Sequence, residues 1–259
     1  MNCKKETEKI VKFIQTYFKE AGFTNAVLGI SGGIDSAVVC ALLVKALGKE
    51  NVYGFSLPCG IQSDKNDANL IGGTFEILYE TINIKKIVDS IKYTLNYQTK
   101  DKISEGNIKA RARMIVLYDM SSFHNALVVG TGNKTELMLG YFTHFGDGAC
   151  ALEPIGGLYK TEVKELAKYL GVPQSIIDKP PSAGLWDGQT DEDELGATYE
   201  QIDECLEMII EDNIQAKDME GLPQFYTEEI RRNREIMLKL INMIEKNKFK
   251  SQPPAQMEN

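Results

Sequence analysis

The sequence is poor in the residues that build metal centres and disulfide frameworks. It has two histidines, His124 and His144, and five widely spaced cysteines that include no C-x-x-C pair. Two histidines are too few for a histidine-built metal centre, and we expect both to be ordinary surface or core residues. An odd number of scattered cysteines predicts reduced thiols, and neither a disulfide framework nor a zinc site. This composition is typical of a cytoplasmic protein.

Long apolar runs and an excess of positive charge are also missing. No apolar stretch is long enough to span a membrane, and the charged start MNCKKETEKIVKF is unlike a signal peptide. The formal net charge of −8 argues against nucleic acid as the main partner, because phosphate backbones favour basic surfaces. The basic segment KARAR, residues 109–113, could still bind a small anion. We therefore expect a protein that binds neither membranes nor nucleic acid.

Strand and helix patterns alternate along the chain, and 43% of its residues are hydrophobic, which is enough for a large core. This alternation predicts a doubly wound, Rossmann-like α/β fold, in which helices cover both faces of a parallel sheet. We expect a single domain over residues 1–259 that includes the C-terminal helices and tail (about 198–259), and no helix in the tail from residue 250. The expected strands are 26–30, 51–58, 82–88 and 126–131, and the expected helices are 5–20, 36–47, 65–80, 106–120, 160–171, 198–212 and 226–247, with a helical turn within 133–142.

The segment SGGIDS, residues 31–36, connects the first predicted strand to a mostly apolar helix. Its glycines permit a tight turn and the close approach of a ligand to the backbone. Such a turn directs N–H groups and the positive end of a helix dipole at one point, which suits a phosphate. The segment lacks both the lysine of a P-loop and the spacing of a dinucleotide fingerprint. The alternative is an ordinary turn in which Asp35 and Ser36 cap the next helix.

A second polar segment, GTGNKTE, follows the strand predicted near residue 130. The carboxyl ends of parallel strands meet at one edge of a sheet, where ligands of such folds bind. Glu136 is therefore well placed to share Mg²⁺ with Asp35, since carboxylate and phosphate oxygens are ligands that Mg²⁺ prefers. The alternative is a plain helix start capped by Thr131 or Asn133, which leaves Glu136 and the nearby Asp147 unexplained.

The segment 178–196 holds prolines, glycines, the only tryptophan and a run of acids. This composition predicts a mobile surface loop. Trp186 could be a simple packing anchor for it. The acids at 191–194 are either a solvated run or groups that help the loop to order when it closes, since a reactive intermediate must be shielded from water.

The segment SGGIDS resembles the pyrophosphate loop of enzymes that split ATP into AMP and pyrophosphate. From about residue 5 to residue 254, the sequence as a whole resembles one family, the ammonia-dependent NAD synthetases. This resemblance implies a fold of the adenine nucleotide hydrolase type. Besides SGGIDS, the motifs that carry it are GNIKARARM (106–114), GTGNKTE (130–136), FGDG (145–148), EPIGGLYK (153–160) and KPPSAGLWDGQTDEDELG (179–196).

The resemblance implies a ligase that forms a C–N bond in the last step of NAD biosynthesis. The nicotinate carboxylate of deamido-NAD would attack ATP and release pyrophosphate, and ammonia would then displace AMP. The implied cofactor is Mg²⁺, and the chain is too short to carry a glutaminase domain as well. The implied assembly is a two-fold homodimer, and the amphipathic N-terminal helix has enough apolar surface to join its interface.

The matched motifs also imply roles for individual residues. Asp35, Glu136 and Lys160 would be catalytic, the first two as ligands of Mg²⁺. This chain has His144 where the family commonly has lysine, and Phe249 where it usually has histidine. The residues implied for ATP are Gly29, Ile30, Ser31, Gly32, Gly33, Ile34, Asp35, Ser36, Thr131, Lys160 and Ser182, and those implied for deamido-NAD are Arg113, His144, Asp147, Phe249 and Lys250.

Two other functions fit parts of the sequence. One is another enzyme with the same ATP-splitting loop, either a tRNA-thiolating enzyme or an amidase that acts on a different nucleotide. The acidic charge and the lack of C-x-x-C count against tRNA sulfur chemistry. The other is a nucleotide sensor without catalytic activity, whose mark would be the loss of Asp35, Glu136 or Lys160, and all three are present.

Overall fold

The computed structural model describes residues 1–60, 65–95, 101–182, 184, 186, 188–211, 214–215, 233–253 and 255–257. The expected helix over 226–247 therefore lies outside the described residues as far as position 232. All five cysteines are free thiols, as expected. Within the described residues, no helix has the length and apolar character needed to cross a membrane.

One parallel sheet of four strands forms the centre of the described part of the chain. The strand order is β3-β2-β1-β4, and in the register Ala26 pairs with both Val52 and Leu127. The chain thus builds the sheet outward from β1 in one direction and then places β4 on the other side of β1. The strands are β1 (Asn25–Gly29), β2 (Val52–Ser56), β3 (Leu78–Thr81) and β4 (Ala126–Val129).

Helices surround this sheet and extend beyond its carboxyl edge. Two short 3₁₀ helices, Lys49–Asn51 and Lys248–Ser251, accompany them. The α-helices are α1 (Cys3–Ala21), α2 (Ile34–Leu47), α3 (Lys65–Thr74), α4 (Lys85–Leu95), α5 (Lys102–His124), α6 (Lys134–Leu139), α7 (Lys160–Leu170), α8 (Gln174–Ile177), α9 (Asp191–Leu195), α10 (Tyr199–Glu211) and α11 (Arg234–Asn247).

Both faces of the sheet are covered, as the doubly wound fold requires. Successive side chains of a strand point to opposite faces. Ala26 and Leu28 accordingly pack with α1, α2 and α7, whereas Val27 packs with Val88 of α4 and Val116 of α5. The predicted parallel α/β fold is confirmed.

A third apolar cluster lies beside the carboxyl edge of the sheet. Leu139 of α6 packs there with Ile202 and Leu206 of α10 and with Met237 and Leu240 of α11. The C-terminal helices are therefore anchored on the short helix that follows β4. This packing brings the end of the chain close to the sheet edge where the polar motifs lie.

The prediction of a strand at 82–88 is wrong, and the helix predicted over 65–80 is too long. The helix α3 ends at Thr74. The strand in this region is β3, which lies before the predicted one, and the residues from Lys85 onward form α4. Ile84 and Val88 are both buried and lie four residues apart. This spacing places two side chains on one face of a helix or on one face of a strand, so the pattern alone does not distinguish them. The strand β3 was not predicted, because every second residue of this edge strand is exposed and the segment lacks a continuous apolar run.

Several boundaries also differ from the prediction. The helix expected over 106–120 is four residues longer at each end, since α5 spans Lys102–His124. α2 begins at Ile34, two residues before the expected start at Ser36. The tail is not free of helix, because Lys250 and Ser251 complete the 3₁₀ helix that follows α11.

Candidate active site

A basin of about 540 Å³ opens at the carboxyl ends of β1 and β4. The chain leaves these neighbouring strands in opposite directions, and such switch points are where open α/β sheets bind ligands. Gly32, Ser36, His144 and Phe249 are described but do not line the basin. The predicted residues that do line it are Gly29, Ile30, Ser31, Gly33, Ile34, Asp35, Arg113, Thr131, Glu136, Asp147, Lys160, Ser182 and Lys250.

The first junction (residues 30–36) connects β1 to α2 and is built from small residues. Gly32 adopts φ +83°, a conformation that glycine reaches without steric cost. The N-cap of α2 is Gly33, so the alternative that Asp35 and Ser36 cap this helix is wrong. Ser36 instead donates from Oγ to the carbonyl oxygen of Gly33 at 2.9 Å. A glycine cap leaves the first N–H groups of α2 without a side-chain acceptor.

The second junction (residues 130–136) connects β4 to α6 and is built from side-chain hydrogen bonds. Asn133 is the N-cap of α6, as the alternative for this segment proposed, and Glu136 completes a capping box. Asn133 Oδ1 accepts from the backbone N–H of Glu136 at 3.0 Å, and Glu136 Oε2 accepts from the backbone N–H of Asn133 at 3.3 Å. The carboxylate of Glu136 is therefore held at the start of its own helix.

Lys160 brings the two junctions together. Its Nζ lies 2.5 Å from Oδ2 of Asp35 and 3.4 Å from Oε1 of Glu136. Lys160 is the first residue of α7, and only 6% of it is exposed. The sequence separates this lysine from Asp35 by 125 residues, so the predicted catalytic residues are joined only by the fold.

Burial and neighbouring charges shift the pKa values of Glu136 and Lys160. Burial raises the pKa of Glu136 to about 8, an effect that the nearby Lys160 opposes and Asp35 reinforces. Burial also acts against the charge of Lys160, but Asp35 and Glu136 outweigh it and raise the pKa of this lysine. One buried cation thus faces two carboxylates, and the cluster favours the arrival of further positive charge.

Arg113 and Asp147 lie in another part of the basin lining. Arg113 Nε donates to the carbonyl oxygen of Leu57 at 3.0 Å, and burial lowers the pKa of this arginine. Asp147 Oδ1 accepts from the backbone N–H of Thr143 at 2.9 Å, and burial raises the pKa of Asp147. Arg111 is exposed and donates to the carbonyl oxygen of His144, so of these two arginines only Arg113 lines the basin.

The C-terminal 3₁₀ helix joins the site from more than 100 residues away. Lys250 Nζ donates to the carbonyl oxygens of Gly140 at 2.7 Å and Phe142 at 3.0 Å. The ring of Phe249 packs edge-on against His144, with the centroids 5.9 Å apart. The predicted substrate residues His144, Asp147, Phe249 and Lys250 are thus brought to one loop.

The segment 178–196 is more than a polar surface loop. Its last part forms α9, and Asp191 is only 3% exposed. Asp191 accepts from the hydroxyl groups of Tyr199 at 3.0 Å and Tyr141 at 3.4 Å, so the interpretation of 191–194 as one solvated run is wrong for this residue. Ser182 and Trp186 line the basin. Ala183, Leu185 and Asp187 lie outside the described residues.

Glu153 was not identified from the sequence, although it accepts a hydrogen bond from the backbone of the second junction. Its Oε2 accepts from the backbone N–H of Gly132 at 2.8 Å, and its Oε1 accepts from Sγ of Cys150 at 3.2 Å. A Cβ atom at Gly130 would lie 2.4 Å from this carboxyl group. The two glycines on either side of Thr131 were the signal, because such a spacing marks the close approach of another group.

The described residues contain no cluster of three or more His, Cys, Asp or Glu side chains arranged to hold a metal. Asp35 and Glu136 are two hard oxygen donors on facing junctions. Together they fit a hard cation such as Mg²⁺ whose remaining ligands come from phosphate and water.

Known proteins resemble this chain along most of its length. A family model described as NAD synthase matches residues 6–254. The chain is similar to the NH(3)-dependent NAD(+) synthetase of Fusobacterium nucleatum, with 48% identity over 215 residues that cover 82% of this chain and 83% of that protein.

Two solved structures are also similar to it. The NH3-dependent NAD synthetase of Campylobacter jejuni, in complex with the nitrate ion, has 36% identity and a TM-score of 0.80, with all of both chains covered. The NMN synthetase of Francisella tularensis has 33% identity and a TM-score of 0.83, with 100% of this chain and 99% of that chain covered.

Proposed function

The chain belongs to the NAD synthase family, and from this premise we propose how its basin makes NAD. The enzyme is an ammonia-dependent NAD synthetase, a ligase that forms a C–N bond in the final step of NAD biosynthesis. The observation that carries the proposed mechanism is the meeting of Asp35, Glu136 and Lys160 at the switch point of the sheet.

The reaction has two steps, because a carboxylate cannot expel oxide. In the first step, a carboxylate oxygen of deamido-NAD forms a bond to the α-phosphorus of ATP while the bond to pyrophosphate breaks. In the second step, the nitrogen of ammonia attacks the acyl carbon, the bond to AMP breaks, and the nitrogen loses a proton. The products are NAD, AMP and pyrophosphate.

The first junction is the proposed phosphate site. The amino end of α2 faces the basin through Gly33 and Ile34, and a helix amino end favours anions. Lys160 lies beside it and offsets the negative charge that develops as pyrophosphate leaves. Thr131 and Ser182 line the same basin, which supports their proposed contacts with ATP.

Asp35 and Glu136 are the proposed ligands of Mg²⁺. Both are mostly buried, and Lys160 is the cation that contacts them both. Burial raises the pKa of Glu136 to about 8, and the nearby Asp35 adds to this rise while Lys160 opposes it. When bound, Mg²⁺ would neutralise part of the phosphate charge, and Asp35 and Glu136 would supply two of its oxygen ligands.

Other residues of the basin lining form the proposed site for deamido-NAD. Arg113 and Lys250 supply positive charge there, and Asp147 supplies a buried carboxyl group. His144 and Phe249 lie next to this site without lining it, so we expect them to contribute less to binding than Arg113 does.

We propose that each subunit is one synthetase domain and that two subunits associate through α5. This helix exposes Ile115, Tyr118 and Phe123, with Phe123 79% exposed. The apolar face of α1, including Ile14, is already buried in the core of the chain, which disfavours the expected role of α1 in the interface. Two-fold pairing is also the commonest assembly.

The five free thiols fit a reducing compartment, which supports a cytoplasmic location.

The decisive experiment mixes the purified protein with ATP, Mg²⁺, deamido-NAD and ammonium, and measures NAD and pyrophosphate together. We expect equal amounts of both, with neither formed when deamido-NAD is omitted. The similarity to an NMN synthetase supports a second acceptor, nicotinate mononucleotide, which is tested in parallel. Pyrophosphate release only with that acceptor would move the proposal to it. A folded protein that makes neither product would favour a sensor.

A further inference from the structure

We propose that Asn133 is a positioning residue that holds the carboxylates of Asp35 and Glu136 in their reactive arrangement. The inference rests on the proposed function, because it concerns how the two carboxylates are presented to ATP. It starts from the hydrogen bonds of a side chain that helix capping alone does not explain.

Asn133 closes a ring of hydrogen bonds around the site. Its Nδ2 donates to Oδ1 of Asp35 at 3.1 Å, while Oδ2 of the same carboxylate contacts Lys160. Oε2 of Glu136 accepts from the backbone N–H of Asn133, while its Oε1 contacts Lys160. Each carboxylate is therefore held between Lys160 on one oxygen and Asn133 on the other.

The orientation of the Asn133 amide follows from its surroundings. The residue is fully buried, with 0% of its surface exposed. Its Oδ1 accepts from the N–H of Glu136 and its Nδ2 donates to Asp35. A flipped amide would place its oxygen against a carboxylate and its NH₂ against an N–H donor, which is unfavourable at both ends.

Other capping residues could not make both contacts. Serine and aspartate cap a helix about as well as asparagine does. A serine hydroxyl ends one bond closer to the backbone and is too short to replace the Nδ2 contact. An aspartate has no donor when ionised and would repel Asp35. Asparagine combines an acceptor for the helix with a donor for the facing carboxylate.

Lys160 and Asn133 have different effects on the charge of the two carboxylates. Lys160 neutralises the carboxylates and is also the group proposed to follow the charge of the leaving pyrophosphate. Asn133 is neutral, so it fixes the carboxylates without reducing their attraction for a cation. When Lys160 turns toward phosphate, Asn133 is the contact that still joins Asp35 to the second junction.

The test compares Asn133→Ser and Asn133→Asp with the wild type. Both variants keep a helix cap, so we expect both to fold. The melting temperature of Asn133→Ser should fall by a few degrees because a buried amide is lost, and that of Asn133→Asp should fall further because a second carboxylate is buried against Asp35. We expect kcat for pyrophosphate release to fall about 10- to 100-fold in Asn133→Ser, and further in Asn133→Asp, because supporting contacts of this kind typically contribute that much. A titration with ATP is expected to give the wild-type stoichiometry, with KM for ATP changed less than about 3-fold.

A matched control is Asn2→Ser. Asn2 is the N-cap of α1 and accepts from the N–H of Lys5. It does not line the basin. The same substitution there removes the same amide without touching a carboxylate, so kcat should stay at the wild-type value.

The outcomes separate this inference from the proposed function. An inactive wild type would overturn the proposed function itself. An active wild type with kcat within 2-fold in a stable Asn133→Ser would overturn the positioning role. If Asn133→Ser does not fold, Asn133→Asp decides, because a folded Asp variant with wild-type kcat would contradict the inference equally. A drop in ATP stoichiometry that matches the loss of rate would mean that Asn133 is only structural.

Discussion

The two strand-to-helix junctions that meet at the basin are built in opposite ways. The first starts α2 on Gly33, which offers its helix no side-chain acceptor. The second starts α6 on Asn133 and closes a capping box with Glu136. A helix amino end attracts negative charge in both cases. The amino end of α2 is therefore available to an anionic ligand, whereas the amino end of α6 already binds the carboxylate of Glu136.

This difference explains how one sheet edge can bind both a phosphate and a cation. The first junction is left with N–H groups and favours anions. The second junction presents Glu136, and this carboxylate forms the proposed cation site together with Asp35 of the first junction. Lys160 lies between them and contacts both sides. The division of labour can be tested by removing or exchanging single features.

The largest expected effect follows removal of the carboxylate that the first junction adds to the ring. In Asp35→Ala, Lys160 keeps Glu136 as its partner, so we expect the fold to persist. We expect pyrophosphate release to fall about 100-fold or more, since a proposed ligand of Mg²⁺ is lost. The control is Asp89→Ala, which removes an exposed carboxylate of α4 that pairs with Lys85. Retained pyrophosphate release in Asp35→Ala would refute its role at the metal.

The next effect concerns Glu153, the buried support of the second junction. Burial raises the pKa of Glu153 to about 7, above its ordinary value of 4.5. Between these values the folded protein binds a proton that the unfolded chain has released. The contribution of Glu153 to stability therefore falls as pH rises through this window, and it is constant above it.

Glu153→Gln removes this titration while keeping an acceptor for the N–H of Gly132. We expect the free energy of unfolding of the wild type, relative to the variant, to fall by about 2–3 kcal/mol between about pH 5 and pH 8. Urea unfolding of both proteins across this range measures it. Parallel stability curves would mean that Glu153 is charged throughout.

A third experiment makes the first junction resemble the second. In Gly33→Asp the backbone is already extended, with φ −94°, and the new Cβ would lie 3.3 Å from Oγ of Ser31, a contact that a small shift relieves. The aspartate should cap α2 and repel phosphate, so we expect KM for ATP to rise about 10-fold without a loss of melting temperature. Gly33→Ser supplies a neutral cap and should raise KM less. An unchanged KM would place the phosphates elsewhere.

The smallest effect is expected at Asp203, which links the second junction to the start of α7. This buried residue of α10 accepts from Oγ1 of Thr135 at 2.6 Å and from the backbone N–H of Thr161 at 2.9 Å. The single oxygen of Asp203→Asn can keep one of these bonds, so we expect about 1 kcal/mol less stability in urea and a rate within about 2-fold. A rate loss as large as that of Asp35→Ala would assign Asp203 to the reaction itself.

Much of the fold could be predicted from periodicity, and the errors have a common cause. Strands β1, β2 and β4 are largely apolar, and the sequence predicted each of their limits to within two residues. The edge strand β3 is half exposed, and the stretch with Ile84 and Val88 fits a helix as well as a strand. Local pattern cannot decide such cases, because the neighbouring layer determines which side chains are buried.

The candidate site was predictable where its residues are adjacent in sequence. Ser31, Gly33 and Asp35 belong to one turn. The position of Glu136 followed from the shared sheet edge, and the resemblance added Lys160. The supporting residues Glu153 and Asp203 were not found, because each contacts the second junction from a separate segment. The spacing of Gly130 and Gly132 marks a close approach to the second junction, but nothing along the chain identifies Glu153 as the group that approaches.

The order of residues was sufficient for the alternating fold, the glycine-built first junction and the family, because each depends on short segments with a specific pattern. Tertiary structure alone decided which charges meet. Lys160 is 125 residues from Asp35, and Asn133 is 98 residues from it, yet all three share one ring of hydrogen bonds. Packing of α2, α6 and α7 around the sheet edge brings these polar groups out of water together. Only in that setting do their charges and hydrogen bonds become strong enough to organise a reaction.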